Sequence, residues 1–182
     1  HKPNKKNISI MGSKISTDAK GSRISSISAS DKLPKIIILG DSMTFGFGSK
    51  ITFSDILQKR FKDEFKIYNA GIGNTNTIMQ VNYFFYNFKE LNSKFVVLNF
   101  YINDLEQINL NRKNFFTKNF YLYNFVDYRL KILKLKKNNN YVNFYKKTFL
   151  NKKIKLKTFE KIYQLKSFCD KNNINFVINI IP

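Results

Sequence analysis

A chain of 182 residues with 43% apolar and 16% aromatic content has the length of one domain and the material for a real core, which excludes a disordered segment. A formal charge of +20 invites a nucleic-acid partner, but the lysines are spread through the whole sequence among Asn, Ile, Phe and Tyr, without zinc-finger spacing or a basic region leading into heptads. The charge therefore reads as a lysine-coated surface with weak attraction to anionic surfaces and no nucleic-acid partner, and no apolar run reaches the roughly 18–20 residues of a membrane span.

Residues 1–34 are rich in Ser, Lys and Gly and read as an irregular N-terminal arm, with a short edge strand at Ile15-Ser16-Thr17 leading into a turn at Asp18-Ala19-Lys20-Gly21. Lys35 to Leu39 is a continuous β-branched and apolar run, the pattern of a strand covered on both faces in a parallel sheet. It stops abruptly at Gly40-Asp41-Ser42. Phe53, Ile56, Leu57, Phe61 and Phe65 then recur at helical spacing, with Thr52 or Ser54 as the cap. Phe65 to Tyr68 reads as a second strand and Asn69 to Thr75 as the loop behind it. A second helix carries Ile78, Val81, Phe84, Phe85, Phe88 and Leu91 as its buried stripe, so Tyr83-Phe84-Phe85-Tyr86 is core and helix surface, not a ligand box.

Phe95 to Phe100 is a third strand, ending in the loop Tyr101-Ile102-Asn103-Asp104. Residues 107–152 read as a basic, aromatic, Asn-rich insertion with helical pieces near 126–136 and 142–149. Leu156, Phe159, Ile162, Tyr163, Leu165, Phe168 and Cys169 mark an amphipathic helix, and the lone cysteine on its apolar side reads as a buried structural thiol. Asn172-Asn173 ends that helix, and Ile174 to Ile181 reads as a fourth buried strand. Strands alternating with helices define an α/β domain over residues 35–182, three layers deep around a mostly parallel sheet.

Three loops stand at the carboxyl ends of three successive strands, the edge where open α/β sheets bind ligands. Gly40-Asp41-Ser42 offers a hydroxyl, Gly71-Ile72-Gly73-Asn74 a run of backbone N–H groups, and Asn103-Asp104 a carboxamide. Alone, the first loop is a strand end with a capping residue. Together the three supply what acyl transfer requires, a nucleophile and preorganised donors for an oxyanion. Counting from Gly40, Phe45 and Gly46 stand where a phosphate-binding loop needs Gly and Lys. With no dinucleotide fingerprint or metal cluster either, no cofactor or metal is expected.

In these blocks the sequence resembles the SGNH (GDSL-type) hydrolase superfamily of esterases, lipases and acyltransferases. Gly40-Asp41-Ser42-Met43-Thr44-Phe45-Gly46 is similar to its first block, Asn69-Ala70-Gly71-Ile72-Gly73-Asn74-Thr75 to its second, and Asn103-Asp104 to the end of its third. Two departures stand out: Asn74, with Gly73 before it, falls where the family has its oxyanion glycine, and Tyr101 replaces the Gly that opens the third block. The stretch Leu98 to Glu106 also resembles bacterial envelope-associated members, which implies a cell-envelope or periplasmic setting.

The resemblance implies a flavodoxin-like sheet, Ser42 as nucleophile, and an oxyanion hole from Gly73 or Asn74 and Asn103. Asp41 and Asp104 are read as supporting residues, bonded to local backbone and orienting the Asn103 loop. The family's Asp-x-x-His block has no counterpart here. The only histidine is His1, at the end of the arm, so the general base and its acid are expected beyond Pro182 and the domain is read as incomplete. The implied activity is a serine esterase acting on acyl esters of carbohydrates or lipids through an acyl-serine. The readings beside it are an O-acyltransferase of envelope glycans and a non-catalytic module that binds anionic polymers.

Overall fold

The computed structural model describes residues 2–10, 12–105 and 148–181. The helical pieces expected near 126–136 and 142–149 lie outside these residues, apart from the last two positions of the second. In the arm, β1 (Ile8–Ile10) and β2 (Ser13–Ile15) pair as an antiparallel hairpin. The turn after it is closed by Asp18, whose Oδ1 accepts from the backbone N–H groups of Lys20 and Ser22 at 2.9 and 2.8 Å. Thr17 and Arg23 then face each other as an isolated bridge, and Arg23 bridges on to Asn69.

The main sheet holds β3 (Lys35–Gly40), β4 (Lys66–Gly71), β5 (Ser93–Tyr101) and β6 (Asn175–Ile181). All neighbours are parallel, in the order β4-β3-β5-β6, which is the doubly wound arrangement of flavodoxin-like sheets. Register places Leu39 between Ala70 and Leu98, and Ile38 between Asn69 and Val97. Successive side chains point to opposite faces, so these two rows belong to different layers.

On one face Ile37, Leu39, Ala70, Val96 and Leu98 meet α3 (Thr77–Asn87) through Val81 and Phe84, and α4 (Lys152–Lys171) through Leu165 and Cys169. Phe88, the C-cap of α3, closes that core against Tyr68. On the other face lie α1 (Ser42–Phe45) and α2 (Phe53–Arg60), tied to the sheet by Asn69, whose Nδ2 donates to Thr44 O and Ser54 Oγ. The protein is thus an α/β fold of three layers with a parallel sheet in the middle.

Three details differ from the sequence reading. The helix α2 turns its polar side inward: Ser54, Asp55 and Gln58 are buried, while Phe53 and Ile56 are exposed. The cause is the backbone of β4 and the segment leading into it. Gln58 accepts from Ile67 N and donates to Phe65 O, pairing groups that an apolar side chain would leave unsatisfied. Thr52 caps α2 in a reciprocal capping box with Asp55. Second, β4 runs on through Asn69-Ala70-Gly71, because these pair with Ile38-Leu39-Gly40 of β3. Third, β6 is the outermost strand among the described residues, and among these Val177, Ile178 and Ile180 are exposed.

Candidate active site

The β3 strand stops at Gly40, and Asp41 turns the chain into α1. Asp41 is an extended N-cap, its Oδ1 accepting from Met43 N at 2.9 Å. Ser42 is the first residue of the helix and is half-buried. The helix lasts one turn and ends at Gly46, in left-handed conformation with φ 76°, whose N–H donates to Ser42 O. The bond from Ile72 N to Gly40 O, 2.9 Å, carries the β3–β4 pairing one residue beyond the strands. Gly71 permits this approach: a Cβ there would lie 2.4 Å from Phe45 N. Gly73 serves in the same way, since its Cβ would lie 2.3 Å from a carbon of the Phe47 ring. The next residue, Asn74, is exposed and left-handed at φ 59°, a conformation Asn tolerates better than most residues.

The third loop is a single 3-10 turn, Ile102–Leu105, after β5. Asn103 Nδ2 donates to Asp41 Oδ2 at 3.1 Å, so the acid beside Ser42 also fixes the carboxamide of the third block. Asp104 is buried and accepts from Tyr101 N and from Gln80 Nε2 on α3, both at 2.7 Å. These bonds hold the turn that carries Asn103. Burial pushes the Asp104 carboxyl up from 3.8 to about 7; the two hydrogen bonds oppose this and the nearby Asp41 charge adds to it.

The structure therefore brings two loops together through the Asn103–Asp41 bond, with Ser42 and Asp104 as their chain neighbours and the Gly73–Asn74 loop following the adjacent strand. Among the described residues there is no histidine to act as a base; His1 lies outside them. Among those residues, no group of three or more His, Cys, Asp or Glu side chains could hold a metal ion.

A polar layer under α1 was not read from the sequence. Asn99 of β5 donates to Thr44 Oγ1 at 2.9 Å and accepts from Asn179 of β6 at 3.0 Å. Asn69, Asn99 and Thr44 are all buried. The available signal was an Asn inside an otherwise apolar strand run, since a buried carboxamide needs partners. Gln80 gave a similar signal, on the buried stripe of α3. Among the described residues, three buried oxygens near this cluster lack a hydrogen-bond partner: Thr77 Oγ1, Gln80 Oε1 and Asn103 Oδ1.

No family model and no curated protein sequence matches the chain. Solved structures that are similar at low identity include two of note. One is a gut microbial diltiazem-metabolizing enzyme, 14% identical over 84% of this chain, with a TM-score of 0.37; the chain spans 38% of its length. The other is a putative lipolytic protein of G-D-S-L family from Desulfitobacterium hafniense DCB-2, 15% identical over 79% of this chain and 76% of its own, with a TM-score of 0.34. At this level of likeness the function has to be argued from the site itself.

Proposed function

We propose that the chain carries the nucleophile and oxyanion half of a serine-dependent ester hydrolase. The observation that supports it best is Asp41, which caps the helix that Ser42 opens and at the same time binds the Asn103 amide. One carboxylate thereby ties the start of the helix that carries Ser42 to a side-chain donor. Asn103 Nδ2 has two hydrogens, and one of them goes to Asp41. The other is available for an oxyanion.

In this reading Ser42 Oγ attacks the ester carbonyl while its proton passes to a base supplied from outside residues 1–182. The carbonyl oxygen, now negative, is held by the N–H of Ser42, a backbone N–H at Gly73 or Asn74, and Asn103 Nδ2. Collapse of the tetrahedral species breaks the ester C–O bond, and the base returns the proton to the leaving alcohol. The acyl-serine is then resolved by water. Resolution by a sugar hydroxyl would make the same site an O-acyltransferase. Acyl esters of carbohydrates or lipids are the proposed substrates, in the cell envelope or periplasm.

A serine-reactive fluorophosphonate tests this on the full-length gene product. Labelling is expected at Ser42 and absent in Ser42→Ala. Equal labelling of both proteins, or none of the wild type, would refute the assignment. The charge of +20 favours a second reading, a module that binds an anionic polymer without turnover. Salt-sensitive retention on such a polymer together with unlabelled Ser42 would support it.

A further inference from the structure

Arg23, in the arm, is buried at 7% exposure, and its side chain bonds to the end of α1 and the loop behind it. Its Nη1 donates to Gly46 O at 2.6 Å and Phe45 O at 3.2 Å, and its Nη2 to Ser49 O at 2.7 Å and, at 3.5 Å, to Lys50 O. Its backbone N–H donates to Asn69 O at 3.1 Å. Asn69 in turn binds Thr44 O through its side chain. Two residues thus take up the backbone carbonyls at the end of α1 and along the loop behind it. A helix leaves its last carbonyls without internal partners, and a cation is favoured there. The guanidinium fork reaches the Gly46 and Ser49 carbonyls from two separate nitrogens, whereas a lysine ammonium offers all its donors from one point.

The loop held in this way carries Phe47. The Phe47 ring lies 4.9 Å, centre to centre, from Phe45 and against the bare α-carbon of Gly73. Arg23 therefore acts on both sides of the site. It fixes the end of the helix that Ser42 begins, and through Phe47 it fixes how near the Gly73 loop stands. We infer that Arg23 is a positioning residue of the candidate active site, setting the separation of Ser42 from the Gly73–Asn74 donors. This rests on the function proposed above for its catalytic meaning, and on geometry alone for its structural meaning.

The experiment has two readouts on the full-length gene product, made with wild type, Arg23→Ala and Arg23→Lys. Amide hydrogen exchange follows Gly46, Phe47 and Ser49, whose N–H groups bond to Ser42 O, Ser42 O and Gly46 O. Loss of charge-assisted bonds in Arg23→Ala is expected to speed exchange there on the order of tenfold or more, with Leu39 and Leu98 of the core strands unchanged. The fluorophosphonate labelling rate at Ser42 is expected to fall by a similar factor. Free guanidinium below denaturing concentration, against a matched potassium chloride control, is expected to restore both, while Arg23→Lys restores neither.

Exchange that is unchanged, or that rises in parallel with the core amides, would overturn the inference. So would undiminished labelling in Arg23→Ala. If wild-type Ser42 takes no label, the proposed function fails and the exchange pattern alone decides on Arg23. If Arg23→Ala does not fold, Arg23→Lys carries the same comparison.

Discussion

Replacing Asp104 by Asn is expected to stabilise the protein at neutral pH and to leave it little changed in acid. In the folded chain the Asp104 carboxyl is raised from 3.8 to about 7, chiefly by burial. Between those values the unfolded chain has lost the proton and the folded chain keeps it. Unfolding then releases a proton, and stability falls by about 1.4 kcal/mol per pH unit as pH rises through that window. The full penalty is reached just above pH 7, at about 4 kcal/mol as an upper limit. Asparagine removes the titration and keeps the shape. Its Oδ1 can still accept from Tyr101 N, and its Nδ2 can donate to Gln80 Oε1 once that amide turns over, giving a partner to an oxygen that now has none. Urea unfolding of both proteins from pH 4 to 8.5 measures the difference. The reasoning is refuted if the Asn variant is less stable at pH 8, or if its advantage over wild type does not grow between pH 4 and pH 7.

Two other outcomes follow from the packing. Cys169 is fully buried and its thiol is pushed up to about 11 by that burial, so an aromatic disulfide reagent at pH 8 should react only as fast as the chain unfolds, and at once in urea. Rapid reaction of the folded protein would contradict its place in the core. Gly71→Ala puts a Cβ 2.4 Å from Phe45 N, which should cost roughly 1–3 kcal/mol in thermal or urea unfolding, and wild-type stability would show that α1 yields easily.

The strands were legible because runs such as Ile36 to Leu39 and Phe95 to Leu98 are apolar without a break, and the parallel sheet follows from the helices between them. Other features were hidden for one physical reason: polarity in sequence does not report whether a polar group finds a partner. Ser54, Asp55 and Gln58 look like a solvent face, yet each is buried because it bonds to backbone or to a neighbouring side chain. Asn69 and Gly71 look like loop residues but complete β4, since β3 extends far enough to pair with them. At β6 apolarity gave the strand, but not that Ile178 and Ile180 stand exposed among the described residues. For the candidate site, Ser42, Asp41 and Asn103 were chosen by type and position, and Asp41 and Asn103 prove to be hydrogen-bonded. Arg23, Gln80 and Asn99 reach it from distant points in the chain, and no local pattern could connect them.

Residues 1–182, taken as a piece by themselves, have a colloidal consequence. Among the described residues the outer ladder of β6 is open and Val177, Ile178 and Ile180 are uncovered, so in that piece the strand is a template on which a second copy can pair. What opposes this is long-range: each copy carries a charge of +20, so two copies repel before their edges meet. That repulsion reaches about 10 Å at 0.1 M salt and about 3 Å at 1 M. Salt should therefore act as the trigger for self-association, seen by light scattering as particles that grow on adding sodium chloride and that Ile180→Lys suppresses. Growth indifferent to salt would mean that the lysine coat plays no part in keeping this edge solitary.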